Sequence, residues 1–216
     1  MKESEMSLPS KDSDVPEFWN ERYATGETPW VMHQIPGALD DFLRRATPGL
    51  VLIPGCGNNY EVIRAFDAAG FVVSAIDFSP VALNQAKTAL GSLGDRLILG
   101  DFFQQDFGST RFDFVFDRTF LCALNPSRWG EYGARVANLL RPNGSLVGIF
   151  FYGHELEPPP FPLTHERATE LFGKAFRLRR DDPVTDSIAI FRGQERWQEW
   201  QQTQICGEKP GGNEIS

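Results

Sequence analysis

From Leu50 to Phe151 short apolar runs alternate with helix-length segments, and that alternation constrains the fold more than any other feature. "LVLI" comes first. A helix follows from Tyr60 to Ala69, stopped by Gly70, then the strand "FVVSAID", then Ser79-Pro80 opening a helix that runs to Leu90. A Ser cap, Pro at the first helical position and Gly91 just past the end supply the start and stop chemistry. "RLILG" and "RFDFVFD" read as the next strands. A helix over Ser127 to Leu140 puts Tyr132, Val136, Leu139 and Leu140 on one face, and "RPNG" reads as a turn into the strand "SLVGIFF". Strands separated by helices require right-handed crossovers, so the expected class is α/β, a parallel sheet covered by helices on both faces.

The last third changes character. "YGHELEPPPFPLT" is a long proline-rich loop, of the kind that carries function in compact domains, and it precedes a short helix from Thr164 to Phe172 ended by Gly173. "FRLRR" and "SIAIFRG" then read as two strands joined by "DDPVTD". So short a connection permits an antiparallel pair and forbids a parallel one.

A chain of 216 residues, 41% of them hydrophobic, supports one domain around one sizeable core. Residues 1–14 read as a disordered tail, 15–200 as the domain and 201–216 as a flexible tail. A net charge of -8 and a pI near 4.9 argue against a nucleic-acid partner, which needs a basic face. Cys56, Cys122 and Cys206 are odd in number and without CxxC spacing, so neither a disulfide framework nor a metal site is expected. Free thiols fit a reducing cytoplasm. The N-terminus lacks the apolar stretch of a signal peptide, and no segment reaches the roughly 18 apolar residues of a membrane span. The expectation is a cytoplasmic protein with neither a membrane nor a nucleic-acid partner.

Ligands of open α/β sheets bind at the carboxyl ends of the strands, so strand-end residues are the candidate site. Gly55 and Gly57 after the first strand leave room for a ligand at the backbone. Asp77 ends the second at the spacing that suits ribose hydroxyls. Asp101 and Phe102 after the third would accept from an adenine amino group and stack on its ring. Asp117 and Arg118 end the fourth, where a guanidinium would hold a carboxylate or an anionic substrate. Each has a plainer structural use: tight turn, helix cap, core aromatic, surface pair.

This order of residues fits both nicotinamide dehydrogenases and S-adenosylmethionine (SAM) methyltransferases. "IPGCGN" lacks the third glycine of a dinucleotide fingerprint, however, and SAM has no pyrophosphate to cradle. The terminal antiparallel pair also suits the seven-stranded methyltransferase sheet, whose last strand is reversed.

"FWNERYATGETPW", "IPGCGNNYEV", "AIDFSP", "FDFVFDRTFLCALNP" and "PPPFPLTHERATELFG" together resemble the thiopurine S-methyltransferase family, which includes thiol and halide methyltransferases. The resemblance runs from Phe18 to Trp197. It implies a Rossmann-like class I methyltransferase with SAM as cofactor, S-adenosylhomocysteine as product, a small-molecule acceptor and a monomeric state. It implies a lid over about residues 15–45, in which Trp19, Tyr23 and Trp30 cover SAM. Gly55 and Gly57 would lie against the methionine part, Asp77 on the ribose, and Asp101 and Phe102 on the adenine. Arg118 matches an arginine of the thiopurine branch and would serve the acceptor or the SAM carboxylate. Trp30 and Phe161 would contact the acceptor. "TPW" looks more like the thiol and halide members, so the acceptor class stays open: a thiol or thiopurine sulfur, sulfide, selenium or tellurium species, thiocyanate or halide.

Methyl transfer to such a nucleophile needs positioning and desolvation more than acid–base chemistry. The chain offers 18 Phe, 5 Trp and 4 Tyr and no Cys/His or Ser/His pair. Asp117 is the candidate base for a neutral thiol. His33 and His165 are candidates for substrate contact, and Cys56 and Cys122 read as buried small hydrophobes rather than metalloid ligands. A nicotinamide oxidoreductase and a non-catalytic SAM-binding module are the alternatives.

Overall fold

The computed structural model describes residues 12–154, 157–191 and 193–203. Seven strands form one sheet: β1 Leu50–Pro54, β2 Val72–Asp77, β3 Leu97–Leu99, β4 Phe112–Arg118, β5 Leu140–Phe151, β6 Phe176–Pro183 and β7 Glu195–Gln202. Their spatial order is β3-β2-β1-β4-β5-β7-β6. The first five are parallel, and β7 runs antiparallel to both neighbours. The chain crosses from β1 outward to β3, then returns to place β4 on the other side of β1, and this reversal of direction creates the crevice where ligands bind.

Among the described residues six α-helices accompany the sheet: α1 Pro16–Thr25, α2 Gly37–Arg45, α3 Tyr60–Ala68, α4 Pro80–Leu90, α5 Trp129–Leu139 and α6 His165–Phe172. The end signals act as the sequence implies. Ser79 accepts from the Ala82 N–H and Thr164 from the Arg167 N–H, which satisfies donors otherwise left free at the helix starts. One face of the sheet packs Leu39, Phe42, Ile63, Phe66 and Leu83 from α2, α3 and α4. The other packs Tyr132, Val136, Leu139 and Phe172 from α5 and α6. The expected α/β class with helices on both faces and a reversed last strand is present.

Two local expectations fail. The partner of β6 is not "SIAIFRG" but Glu195–Gln202, and the "DDP" of the supposed connection belongs to β6 itself. β7 lies between β5 and β6 and must be buried on both faces, which Trp197 on one side and Trp200 on the other accomplish. "RPNG" is not a turn ahead of a strand but an irregularity within β5: pairing passes from Phe112↔Leu140 to Phe114↔Ser145, with Asn143 at φ 66°. Turn-forming residues have made a bulge.

Among the described residues no helix is long and apolar enough to cross a membrane. The tails expected at 1–14 and 201–216 lie largely outside the described residues.

Candidate active site

The carboxyl ends of β1 to β4 open into a cavity of about 680 Å³, closed from above by α1, the segment after it and the proline loop. That volume suits a bound organic ligand, whose pockets run from roughly 300 to 1,000 Å³.

At the β1 and β2 ends the backbone is arranged around one carboxylate. Gly55 and Gly57 have φ of 55° and 51°, a left-handed conformation that side-chain-bearing residues adopt at a cost. A Cβ at Gly55 would strike the Phe120 ring, and one at Gly57 the Tyr23 hydroxyl. Asp77 is buried and accepts from the Gly57 N–H at 2.8 Å through one oxygen and from the Ser79 N–H at 2.8 Å through the other. Burial pushes its carboxyl up to about 6, against the opposing pull of these backbone donors. Ser79 joins the lid to this corner by donating to the Asn20 side chain at 2.7 Å.

At the β3 end, Asp101 accepts from the Phe103 N–H at 2.8 Å, and the Phe102 ring is buried edge-on to Phe103 and Phe120. Both Asp101 and Phe102 line the cavity.

At the β4 end the two adjacent charges part company, because successive side chains of a strand face opposite ways. Asp117 faces α5, where it accepts from the Tyr132 hydroxyl at 2.7 Å and from the N–H groups of Phe120 and Leu121 at 3.1 Å. Burial pushes it up to about 6 as well. Its hydrogen bonds hold the segment Thr119–Ala123, in which Thr119, Phe120, Cys122 and Ala123 are cavity wall. Arg118 faces the lid and donates to the Trp30 carbonyl at 3.0 Å, while burial lowers its affinity for the proton. Thr119 takes up the change of direction at φ 68°.

The lid presents three rings to the cavity. Trp30 stands edge-on to Trp19 and Tyr23, at 5.5 Å and 6.0 Å between ring centres. Gln85 of α4 donates to the Tyr23 carbonyl at 2.9 Å and so fastens α1 to the body.

Of the residues expected from the sequence, Trp19, Tyr23, Trp30, Gly55, Asp77, Asp101 and Phe102 are brought together around the cavity. Gly57, Asp117, Arg118 and Phe161 stand behind its wall. Phe161 packs toward the α5 and α6 side, with its N–H bonded to the Cys122 carbonyl at 2.6 Å. Neither His33 nor His165 lines the cavity; His165 stacks on Tyr152 at 4.7 Å. Cys122 is cavity wall, with its thiol pushed well up by burial, and Cys56 lies in the core. Cys206 is outside the described residues, among which no group of three metal-binding side chains occurs. Ile190 and Phe191 also line the cavity and were hidden by the strand expectation for "SIAIFRG". Asp14, another lining residue, has a buried oxygen, Oδ1, without a hydrogen-bond partner, and nothing local in the sequence marks it.

The site fits SAM. Asp14, Glu27, Asp77, Asp101 and Glu157 outnumber Arg22 and Arg128 on the wall, an excess of acid suited to a cation, and the aromatic rings offer faces to a sulfonium. Fold and site together define a class I SAM-dependent methyltransferase.

Residues 15–203 match the family model described as Thiopurine S-methyltransferase (TPMT), and the chain belongs to that family. It is 27% identical over 139 residues to probable thiol methyltransferase 2 of Arabidopsis thaliana, a match covering 62% of this chain and 61% of the plant protein. It is 28% identical over 186 residues to the thiopurine S-methyltransferase of Methylococcus capsulatus, covering 76% of this chain and 83% of that one. The fold is shared with 1,6-didemethyltoxoflavin-N1-methyltransferase of Burkholderia thailandensis, solved with S-adenosylhomocysteine, at a TM-score of 0.71 and 19% identity over 94% of this chain and 93% of that one. SAM is the cofactor, and neither a nicotinamide oxidoreductase nor a non-catalytic module finds support.

Proposed function

We propose that the chain transfers the SAM methyl group to a small soft nucleophile, foremost a thiol or thiopurine sulfur, within the class that extends to sulfide, selenium and tellurium species, thiocyanate and halide. One observation carries this reading: a single cavity is lined both by carboxylates, Asp77 and Asp101 among them, and by the rings of Trp30, Phe120 and Phe191. The names of the relatives, thiol and thiopurine methyltransferases, point the same way.

In this reading Asp77 accepts from the ribose hydroxyls, Asp101 and Phe102 hold the adenine, and Gly55 admits the methionine part while Gly57 keeps the Tyr23 hydroxyl in place. When bound, SAM supplies a methyl whose bond to the sulfonium breaks as the acceptor lone pair forms the new bond. The remaining work belongs to the protein. Trp19, Tyr23 and Trp30 close over the reacting groups and exclude water. Orientation of this kind lowers a barrier by roughly 7–11 kcal/mol in favourable cases. Arg118 holds the lid at Trp30, while Phe161 fixes the end of the proline loop against the acceptor wall. Asp117 already accepts from three donors, so its role is to position Thr119–Ala123 rather than to serve as base. A neutral thiol then loses its proton to solvent.

We also take the chain to work as a monomer in the cytoplasm, in keeping with its free thiols at Cys56 and Cys122 and its net charge of -8. The test of the reaction is a panel of acceptors, namely thiopurines, alkanethiols, sulfide, thiocyanate, iodide, selenite and tellurite, with labelled SAM. Label on a sulfur acceptor supports the reading. Silence across the panel with SAM bound would set it aside.

A further inference from the structure

Arg118 and Glu195 lie on the same face of the sheet. Arg118 pairs with Ile149 across β4 and β5, Ile149 pairs with Trp197 across β5 and β7, and Phe151 pairs with Glu195 two residues further along. Side chains alternate with a period of two, so Arg118, Ile149, Phe151, Trp197 and Glu195 share one side. Both charged residues are buried, Arg118 at 5% exposure and Glu195 at 3%.

The guanidinium is only partly satisfied. Nη1 donates to the Trp30 carbonyl, but Nε and Nη2 have no hydrogen-bond partner among the described residues. Glu195 is the buried carboxylate on the same side of the sheet, and its field favours the charged form of Arg118. Burial in turn raises the Glu195 carboxyl, and the Ser187 hydroxyl and then Arg118 oppose that rise. Among the described residues the two make no contact ion pair, and the guanidinium nitrogens Nε and Nη2 stay unpartnered. Removing one member of such a buried pair would leave the other uncompensated, the costly case for a buried charge.

This pair borders the acceptor end of the cavity. Trp30, whose carbonyl Arg118 holds, and Thr119 and Cys122, which follow Arg118, are all cavity wall. A small anion entering there is attracted by Arg118 and repelled by Glu195, through a poorly polarisable interior that screens neither well. A neutral acceptor feels little of either.

We infer that Glu195 sets the charge preference for the methyl acceptor, neutralising Arg118 behind the cavity wall and so disfavouring small soft anions relative to neutral thiols. The inference rests on the methyltransferase reading of the cavity and deepens it by assigning a specificity residue outside the expected set.

The experiment compares kcat/KM for thiocyanate with kcat/KM for a neutral alkanethiol in wild type, Glu195→Gln and Glu195→Gln/Arg118→Met. The ratio is expected to rise at least tenfold in favour of thiocyanate in Glu195→Gln, to return to within threefold of wild type in the double variant, and to stay near wild type in Glu195→Asp. A purely structural role would not produce a gain that depends on Arg118. Calorimetric titration of thiocyanate into protein saturated with S-adenosylhomocysteine reads anion affinity without turnover, so absence of methyl transfer and failure of this inference are separable. If Glu195→Gln does not fold, Arg118→Met alone serves: it leaves the carboxylate unopposed and is expected to weaken thiocyanate binding at least tenfold more than binding of a neutral alkanethiol, which registers loss of the Trp30 tether alone. An unchanged thiocyanate affinity in Glu195→Gln or Arg118→Met, or a gain that persists in the double variant, would overturn the inference.

Discussion

The Asp77 carboxylate accepts a hydrogen bond from the Gly57 N–H at 2.8 Å, and this contact ties the turn after β1 to the end of β2. The second strand end thereby fixes the shape of the first. Replacing Asp77 by Ala removes the anchor of the glycine turn and, with it, the proposed acceptor for the SAM ribose. SAM affinity is expected to fall at least a hundredfold by calorimetry. Loss of less than threefold would remove Asp77 from the cofactor site.

Gly57 carries two constraints at once, a φ of 51° and the Tyr23 hydroxyl where a Cβ would stand. Gly57→Ala is expected to cost about 1–2 kcal/mol of stability for the left-handed backbone alone. It also displaces Tyr23 and the lid, and Gly57→Val does so further. Denaturant unfolding and SAM titration together check this, since strain alone would move only the first.

Asp77 and Asp117 are both raised from 3.8 to about 6 by burial. A carboxyl whose folded pKa exceeds its unfolded one binds its proton more tightly in the native state. Its contribution to stability is therefore complete below pH 4 and lost as pH rises through about 6. Each group contributes about 3 kcal/mol to that slope on a 1.36 kcal/mol scale per unit. Asp77→Asn and Asp117→Asn should each flatten the dependence of unfolding free energy on pH between 4 and 6. If Asp77 accepts from the ribose hydroxyls as proposed, SAM binding moves the other way and strengthens as pH rises through 6, where Asp77 ionises. A pH-independent SAM affinity in the wild type would contradict this.

Tyr132→Phe removes the 2.7 Å hydrogen bond to Asp117 and leaves the two backbone donors in place. A hydrogen bond to a charged partner is worth about 1.5–3 kcal/mol, so a loss of that size in unfolding free energy is expected. The loosened Thr119–Ala123 wall should raise acceptor KM while SAM affinity shifts by less than threefold.

Arg118→Met cuts the tether to the Trp30 carbonyl. Turnover with sulfur acceptors is expected to drop at least tenfold, with SAM affinity shifting by less than threefold. Equal loss of both would place Arg118 on the cofactor instead.

What the sequence revealed was mostly local. Gly55, Gly57 and Asp77 are legible because strand, turn and capping chemistry lie within a short stretch, and the helix ends at Ser79 and Thr164 follow from their own side chains. The tether from Arg118 to Trp30 joins residues far apart in the chain, and only the fold brings them together. β7 was missed for a physical reason. A strand buried on both faces normally reads as an apolar run, which "SIAIF" provides and "ERWQEWQQ" does not. Two of its polar residues serve the tryptophans: Trp200 donates to the buried Gln198 at 3.0 Å, and Trp197 to the half-buried Glu199 at 2.8 Å, which also pairs with Arg45. The division of labour between Asp117 and Arg118 was hidden likewise, since adjacency in sequence means opposite faces in a strand.

In the proposed reading one cavity holds SAM at Asp77 and presents its methyl to a soft sulfur nucleophile. Single-turnover transfer of labelled methyl from limiting SAM to an alkanethiol, with the product analysed by mass spectrometry, tests this most directly. Label on the thiol sulfur is expected in the wild type, and in Asp77→Ala only at much higher SAM. No labelled sulfur in a wild-type protein that binds SAM, or equal transfer by Asp77→Ala at limiting SAM, would contradict it.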